Sequence, residues 1–338
     1  MDILFICKGS VDIGLGHVIR SLSLAKKAYE KNNIEFVLIG TKNLYTLIKN
    51  LKCKKSIIKS EDELSSLIIR KYDVVIFDLL EIKDSIFNLI SPFFKLKVSI
   101  SPIINQFEKL DLYFNRTKYF PDKYLNSSVK KYCGLEYNII KDDCIKIDES
   151  DFKKNLEIEN IPIAISMGGS DAKNKTQNYL KQLKRVKNPA TFWVMLGEGY
   201  NHSFDDLVKI IKEDDKHEVI LAKTNHSMWQ VLKNCVAIIL PGGVTTYEAV
   251  YAGLPSINLI TNPKQEFLLR ELHENDVVLT VDLIDEKKAN SLIDVVDEFI
   301  NNREKLKKIH IKSSNLIDNK GSDRILSIIE YNINQKKL

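Results

Sequence analysis

The sequence predicts an α/β fold built from two parallel-sheet domains. Three observations predict it. Short, continuously apolar runs of strand length alternate with segments of helical periodicity. The alternation occurs twice, once in each half of the chain. The length of 338 residues suits two domains of roughly 150 residues each.

In the first half, residues 3–7 form an apolar run that reads as a buried first strand rather than a leader, because Lys8 and a glycine-bearing loop follow at once. A helix from residue 17 to about 31 comes next, with Val18, Leu22, Ala25 and Tyr29 at i, i+4, i+7 and i+11 on one face. Residues 34–39, 73–77 and 97–100 are later strands. Runs that are apolar throughout suit parallel strands covered on both faces. In the second half, residues 162–167 form a strand ending in Gly168-Gly169-Ser170, and residues 191–196 one ending at Gly197. Residues 236–240 form a strand ending in Pro241-Gly242-Gly243, and 256–260 form another. The charged, strand-poor stretch 141–160 is the expected join, giving an N-terminal domain over 1–145 and a C-terminal domain over 158–305. The segment 306–338 is polar and helical, with Ile309, Leu316, Ile325, Ile328 and Ile329 as apolar anchors, and is expected to cross back to the first domain.

Composition narrows the function classes. Apolar residues make up 44%, enough for full cores, and 50 Lys plus Arg against 45 Asp plus Glu leave a net charge of +5. That balance is compatible with an anionic substrate and lacks the dense basic face of a nucleic-acid binder. No apolar run reaches the ~18 residues of a bilayer span. The five cysteines are scattered without paired spacing, which reads as reduced thiols in a cytoplasmic protein.

Three glycine-bearing motifs follow apolar runs, where open parallel sheets bind ligands. Gly14-Leu15-Gly16-His17 opens a helix after the first strand, and His17 there could take a proton near neutral pH. It could equally be an exposed histidine at a turn. The motif lacks the third glycine and the acid of a dinucleotide fingerprint and the Gly-Lys-Ser/Thr of a P-loop. Gly242-Gly243-Val244-Thr245-Thr246-Tyr247-Glu248 combines glycines, hydroxyls and a carboxylate at a helix start. Thr245 and Thr246 could cap the helix and donate to phosphate, and Glu248 suits a vicinal diol such as ribose; the alternative is a well-capped structural helix. Gly168-Gly169-Ser170-Asp171, with Asn174 and Thr176, either binds phosphate or turns the chain. Lys264 could pair a phosphate and Gln265 could reach sugar hydroxyls. Dispersed histidines and the absence of a Cys-x-x-Cys or Asp-x-Asp predict no metal and no cofactor.

Together Gly14-Leu15-Gly16-His17-Val18-Ile19-Arg20-Ser21-Leu22, Met167-Gly168-Gly169-Ser170-Asp171 and Gly242-Gly243-Val244-Thr245-Thr246-Tyr247-Glu248-Ala249 with Gly253-Leu254-Pro255 resemble the PseG/SpsG family of UDP-sugar hydrolases and spore-coat polysaccharide proteins. The stretch from Cys133-Gly134-Leu135-Glu136 to Lys141 resembles a family segment between the domains. The resemblance implies a GT-B fold related to MurG, with two Rossmann-like domains facing across a cleft. It implies that His17 activates water to split UDP-2,4-diacetamido-2,4,6-trideoxy-β-L-altropyranose at the anomeric carbon, while Gly242, Gly243 and Glu248 hold the nucleotide. Arg20 or Lys264 would add positive charge. The sequence departs from the hydrolase pattern on the sugar side. Asp78 is kept but Leu79-Leu80 replaces a His-Tyr pair, Ser99-Ile100-Ser101-Pro102 replaces an acidic segment, and Lys264-Gln265 replaces an Asn-Gln pair. The expectation is therefore a hydrolase of a UDP-amino sugar in nonulosonic acid synthesis, with two alternatives: a glycosyltransferase passing the sugar to a glycan hydroxyl, and a non-catalytic nucleotide-sugar binding protein.

Overall fold

The computed structural model describes residues 1–10, 15–223, 227–284 and 291–336. The chain divides into two units, one comprising Met1–Lys141 with the chain from Asp318 onward, the other Asp142–Ile317.

Unit 1 is a seven-stranded sheet. Its strands are β1 (Asp2–Lys8), β2 (Asn33–Ile39), β3 (Lys54–Ile58), β4 (Tyr72–Asp78), β5 (Phe94–Ser99), β6 (Leu112–Asn115) and β7 (Lys130–Cys133), in the order β3-β2-β1-β4-β5-β6-β7. Every pairing is parallel. Both faces are covered, as the unbroken apolar runs require. Ile3, Phe5 and Cys7 enter one core cluster and Leu4 and Ile6 the other, the period-two alternation of a strand read on two buried faces. The helix Gly16–Tyr29 packs on the first face through Val18, Leu22, Ala25 and Ala28. Tyr29, expected on that face, is the last residue of the helix and is exposed.

Unit 2 is a six-stranded sheet, again wholly parallel. Its strands are β8 (Pro162–Ser166), β9 (Thr191–Leu196), β10 (Glu218–Lys223), β11 (Ala237–Pro241), β12 (Ser256–Ile260) and β13 (Val278–Asp282), in the order β10-β9-β8-β11-β12-β13. In each sheet the strand order reverses next to the first strand, between β1 and β4 and between β8 and β11. Such a reversal sends the following loops to opposite sides and opens a crevice at the carboxyl ends of the two strands.

Several strands have no counterpart in the sequence reading. β3, β7, β10 and β13 are sheet edges whose residues are largely exposed or half-buried, so they lack the continuous apolar run that marks an interior strand, and the interior β6 is only four residues long. The residues from Gly134 to Lys141, expected as a segment between domains, pack within unit 1. The helix Arg303–Ser314 packs against Val244–Ala252 in unit 2, and only the helix Gly321–Gln335 returns to unit 1. There Ile325, Ile329 and Ile333 join the core of the first face, and Arg324 Nη1 donates to the Glu136 carbonyl at 3.0 Å. No helix among the described residues is long and apolar enough to cross a membrane.

The returning helix begins at a glycine for a steric reason. A Cβ at Gly321 would overlap the carbonyl oxygen of Asn138 and lie 2.7 Å from its carbonyl carbon, backbone that cannot swing aside. Gly321→Ala should therefore lift this helix from the sheet and destabilise unit 1 by about 1–3 kcal/mol. Chemical denaturation of the full chain followed by circular dichroism measures this; an unchanged midpoint would show that the helix docks without the close approach.

Candidate functional site

Asp78 ends β4, and its register partner on β1 is Cys7, so its carboxylate sits at the point where the order of the first sheet reverses. The helix after β1 carries His17, Arg20 and Ser21 at i, i+3 and i+4, one face of its first two turns. All three reach the same carboxylate. His17 Nδ1 lies 2.6 Å from Oδ1, and Arg20 Nε donates to Oδ2 at 2.9 Å while its Nη2 donates to Oδ1. Ser21 Oγ donates to Oδ2 at 3.2 Å.

The carboxylate is 0% exposed. Moving such an ion out of water costs several kcal/mol, so its partners decide its state. Burial alone would raise its pKa. The Arg20 and His17 charges and their hydrogen bonds overcome that and hold the carboxyl well below the usual range, ionised. Beside it, burial first and then the Asp78 charge push the Cys7 thiol up, against a smaller opposing effect of the Ser21 hydrogen bond, so Cys7 is an inert neighbour.

An ionised carboxylate 2.6 Å from Nδ1 requires a proton there. That assigns the neutral ring the Nδ1–H tautomer and leaves Nε2 as the acceptor, the arrangement by which a buried aspartate prepares a histidine to take a proton. The His17 side chain keeps 20% exposure, while Arg20 keeps 9%. Arg20, expected to offer its charge to a substrate, directs Nε and Nη2 to Asp78, because a buried carboxylate needs a cation beside it. Gly16 opens the helix. Gly14 lies outside the described residues. Sequence reasoning kept Asp78 only as a family remnant. The signal for its role was an acid ending an apolar strand together with a His-x-x-Arg-Ser spacing on one helix.

In unit 2 the other expected residues gather at the carboxyl ends of β8, β11 and β12. Gly242 lets the β11 loop lie against the helix Pro263–Glu274: a Cβ there would come within 2.9 Å of Leu269 Cδ1 and 3.3 Å of Gln265 Cβ. The space beside Gly243 is open, since a Cβ there would meet only the Pro241 carbonyl oxygen at 3.9 Å. The helix Val244–Ala252 starts here with no side-chain cap on its first amides. Thr245 is half-buried at that start. Thr246 is not available to phosphate. Its side chain is 0% exposed, its Oγ1 donates to Asn258 Oδ1 at 2.6 Å, and it accepts the Gly243 N–H at 3.3 Å. Asn258 on β12 thus fixes the turn from beneath, and the expectation of a Thr246–phosphate contact is corrected. Glu248, one helical turn in, is 3% exposed.

After β12, Lys264 is exposed in the first turn of the helix Pro263–Glu274. Gln265, expected to reach a sugar, turns its Oε1 back to accept from the Thr261 N–H at 2.8 Å and hydroxyl at 3.1 Å, which closes the loop before the helix. At β8, Gly168 takes φ +93°, a conformation suited to glycine, and Gly168 and Gly169 are exposed with Ser170 half-buried beside them. Asp171 is committed to structure: its carboxylate accepts the N–H groups of Lys175 and Thr176, both at 2.8 Å, and so caps the helix Lys175–Leu183.

Comparison with known proteins places this architecture. No protein-family model matches the chain. An uncharacterized protein of Methanocaldococcus jannaschii is 29% identical over 281 residues, which are 78% of this chain and 57% of that protein, so the chain spans little more than half of that relative. The spore coat polysaccharide biosynthesis protein SpsG of Bacillus subtilis is 21% identical over 95% of this chain and 96% of its own length. Among solved structures, MurG of Acinetobacter baumannii superposes with a TM-score of 0.70 at 13% identity, covering 98% of this chain and 99% of that one. HepE of Anabaena, solved with UDP, gives 0.66 at 12%, covering 98% and 100%. The fold is the GT-B type, two parallel-sheet α/β domains.

The Asp78 cluster makes a stability prediction. A carboxyl held below its unfolded pKa stabilises the fold fully above the ordinary aspartate range, and that contribution is lost as pH falls through the range toward the folded value. Asp78→Asn removes the buried charge that Arg20 Nε and Nη2 face and should destabilise unit 1 by about 3–5 kcal/mol at neutral pH. The gap to wild type should narrow below about pH 4. Urea denaturation from pH 7 to pH 3 measures it; a gap independent of pH would mean that the folded carboxyl is not held low.

Proposed function

We propose that this protein is a UDP-sugar-dependent glycosyltransferase in which unit 2 holds the nucleotide and His17 of unit 1 is the general base. The observation that carries the reading is the 2.6 Å contact of His17 Nδ1 with a buried, ionised Asp78. Nothing in packing requires an ion cluster of this kind at a sheet reversal, and it leaves one histidine nitrogen ready to accept a proton. UDP is the expected nucleotide because similar folds have been solved with it, HepE of Anabaena and MnaA of Staphylococcus aureus among them. The likeness to SpsG, a spore coat polysaccharide biosynthesis protein, supports a surface-polysaccharide setting.

The chemistry is simple in outline. An acceptor hydroxyl attacks the anomeric carbon and gives its proton to His17 Nε2. The bond from that carbon to the diphosphate oxygen breaks, and UDP leaves with the electron pair. Asp78 stabilises the imidazolium as it forms, and Arg20 keeps Asp78 ionised throughout. The diphosphate would lie at the Gly242–Gly243 turn, where the amides of the helix Val244–Ala252 lack a side-chain cap, with Thr245 and Lys264 at its edge and the exposed Gly168–Gly169–Ser170 turn on the neighbouring strand. Glu248 would take the ribose diol.

Transfer to a hydroxyl is favoured over hydrolysis by what surrounds Asp78. Leu79 belongs to the core, and the hydroxyls of Ser99 and Ser101 donate to the carbonyls of Phe77 and Leu79 at 3.2 and 3.0 Å. The chain there offers little with which to order a water. A hydrolase in nonulosonic acid synthesis is the second reading, and acceptor dependence separates the two.

Incubation with a panel of UDP-amino sugars, with and without glycan acceptors, tests the proposal. UDP release should depend on an acceptor, and His17→Ala should lower kcat by about 100- to 10,000-fold while UDP affinity by calorimetry stays near wild type. UDP release at the full rate without acceptor would make water the acceptor. Full activity in His17→Ala would remove the base from the mechanism.

A further inference from the structure

The loops that follow β8 and β9 are fastened to each other. The Gly169 carbonyl accepts the Gly199 N–H at 3.0 Å. The Asp171 carbonyl accepts from His202 Nε2 at 2.8 Å, which requires the proton on that nitrogen, and also from the Asn174 N–H at 2.8 Å. The Tyr200 hydroxyl donates to Asn174 Oδ1 at 3.1 Å. The seam has no room for a side chain, since a Cβ at Gly197 would lie 2.6 Å from Gly169 Cα. Tyr200 in turn stacks edge-on against His202 and Phe204, so both donors are braced by aromatic contacts.

The held segment is one that would otherwise relax. Asp171 and Asn174 have φ of +41° and +49°, a left-handed conformation that Asp and Asn tolerate better than other non-glycine residues but still at a cost, so the loop gains from being held. Holding two carbonyls has a directional consequence. A peptide unit is planar and trans, so a carbonyl drawn toward the β9 loop turns the next N–H the opposite way. The N–H groups of Ser170 and Ala172 are thereby aimed away from that loop. Neither donates to a protein acceptor among the described residues. Ala172 is exposed and Ser170 half-buried, so both are within reach of a ligand.

We propose that Tyr200 and His202 are positioning residues for nucleotide binding, which set the loop 168–174 so that the Ser170 and Ala172 amides meet a diphosphate oxygen. The proposal deepens the UDP-sugar reading and rests on it. Tyr200 and His202 themselves touch no phosphate. Their effect is to remove the ordering that the loop would otherwise undergo on binding.

Calorimetry with UDP and with uridine, on Tyr200→Phe, His202→Ala and His202→Gln, tests this. Gln places an amide N–H near the position of His202 Nε2 and is the conservative rescue. Loss of one fixed hydrogen bond should weaken UDP binding by about 3- to 10-fold in Tyr200→Phe and His202→Ala. His202→Gln should recover most of it, and uridine, which has no phosphate, should bind all forms alike. In turnover, KM should rise while kcat at saturation stays near wild type. Variants that melt earlier yet bind UDP as wild type does would make the contacts merely structural and overturn the proposal, as would an equal loss for uridine and UDP. If wild type binds neither UDP nor UDP-sugars, the function reading falls and this proposal with it; wild-type binding with unaltered variants overturns this proposal alone.

Discussion

The Asp78 carboxylate constrains the chemistry of unit 1 more than any other group. It is fully buried at a sheet reversal, where an ion is tolerated only if charged and polar partners surround it. Donors from His17, Arg20 and Ser21 do so, and because they occupy one face of a single helix, the demand of one buried charge fixes the rotation of that helix over the sheet. The same demand selects the histidine tautomer. A surface pair of the same residues would be worth little and would orient nothing. Burial turns an ordinary ion pair into a device that presents Nε2 and keeps it unprotonated in the neutral ring. Arg20 belongs to that device, since a lone buried Asp78 would favour the protonated acid.

Under the proposed function unit 2 has a different task, the approach of backbone to an anion. It has two helices that begin at the carboxyl ends of adjacent central strands, and the chain treats them differently. The helix Lys175–Leu183 has its first amides filled by the Asp171 carboxylate, a built-in anion. The helix Val244–Ala252 has no side-chain cap, and the hydroxyl of Thr246 in its first turn is held from below by Asn258. Of the two, only the second offers helix amides to an incoming phosphate. The glycine turn at β8 can then contribute only through loop amides, which is why the fastening of that loop to its neighbour bears on binding.

Much of this was legible in the sequence. Continuous apolar runs gave the interior strands other than the four-residue β6, because a strand covered on both faces carries no alternation, and the motifs His17 to Ser21, Gly168 to Asp171 and Gly242 to Glu248 all follow strands. The edge strands β3, β7, β10 and β13 were not legible, since exposure dilutes their apolar signal. Partnerships between distant residues were also hidden. Nothing local says that Asp78 meets a helix 58 positions earlier, that Thr246 binds Asn258, or that Tyr200 and His202 hold the β8 loop. Residue type marked candidates; the register of parallel strands decided which became neighbours. Thr246 and Gln265 show the converse, polar side chains in a binding-like motif that the fold uses for its own turns.

The central claim is that a buried, ionised Asp78 sets His17 as a base with Nε2 open. Long-range proton–nitrogen NMR of the histidine rings, with His17 assigned by its loss in His17→Gln, reads the tautomer directly and needs no substrate. The account predicts that the neutral ring carries its proton on Nδ1 and leaves Nε2 unprotonated. A ring protonated on Nε2, or one exchanging evenly between the two tautomers, would contradict it, because Asp78 would then not be orienting the base.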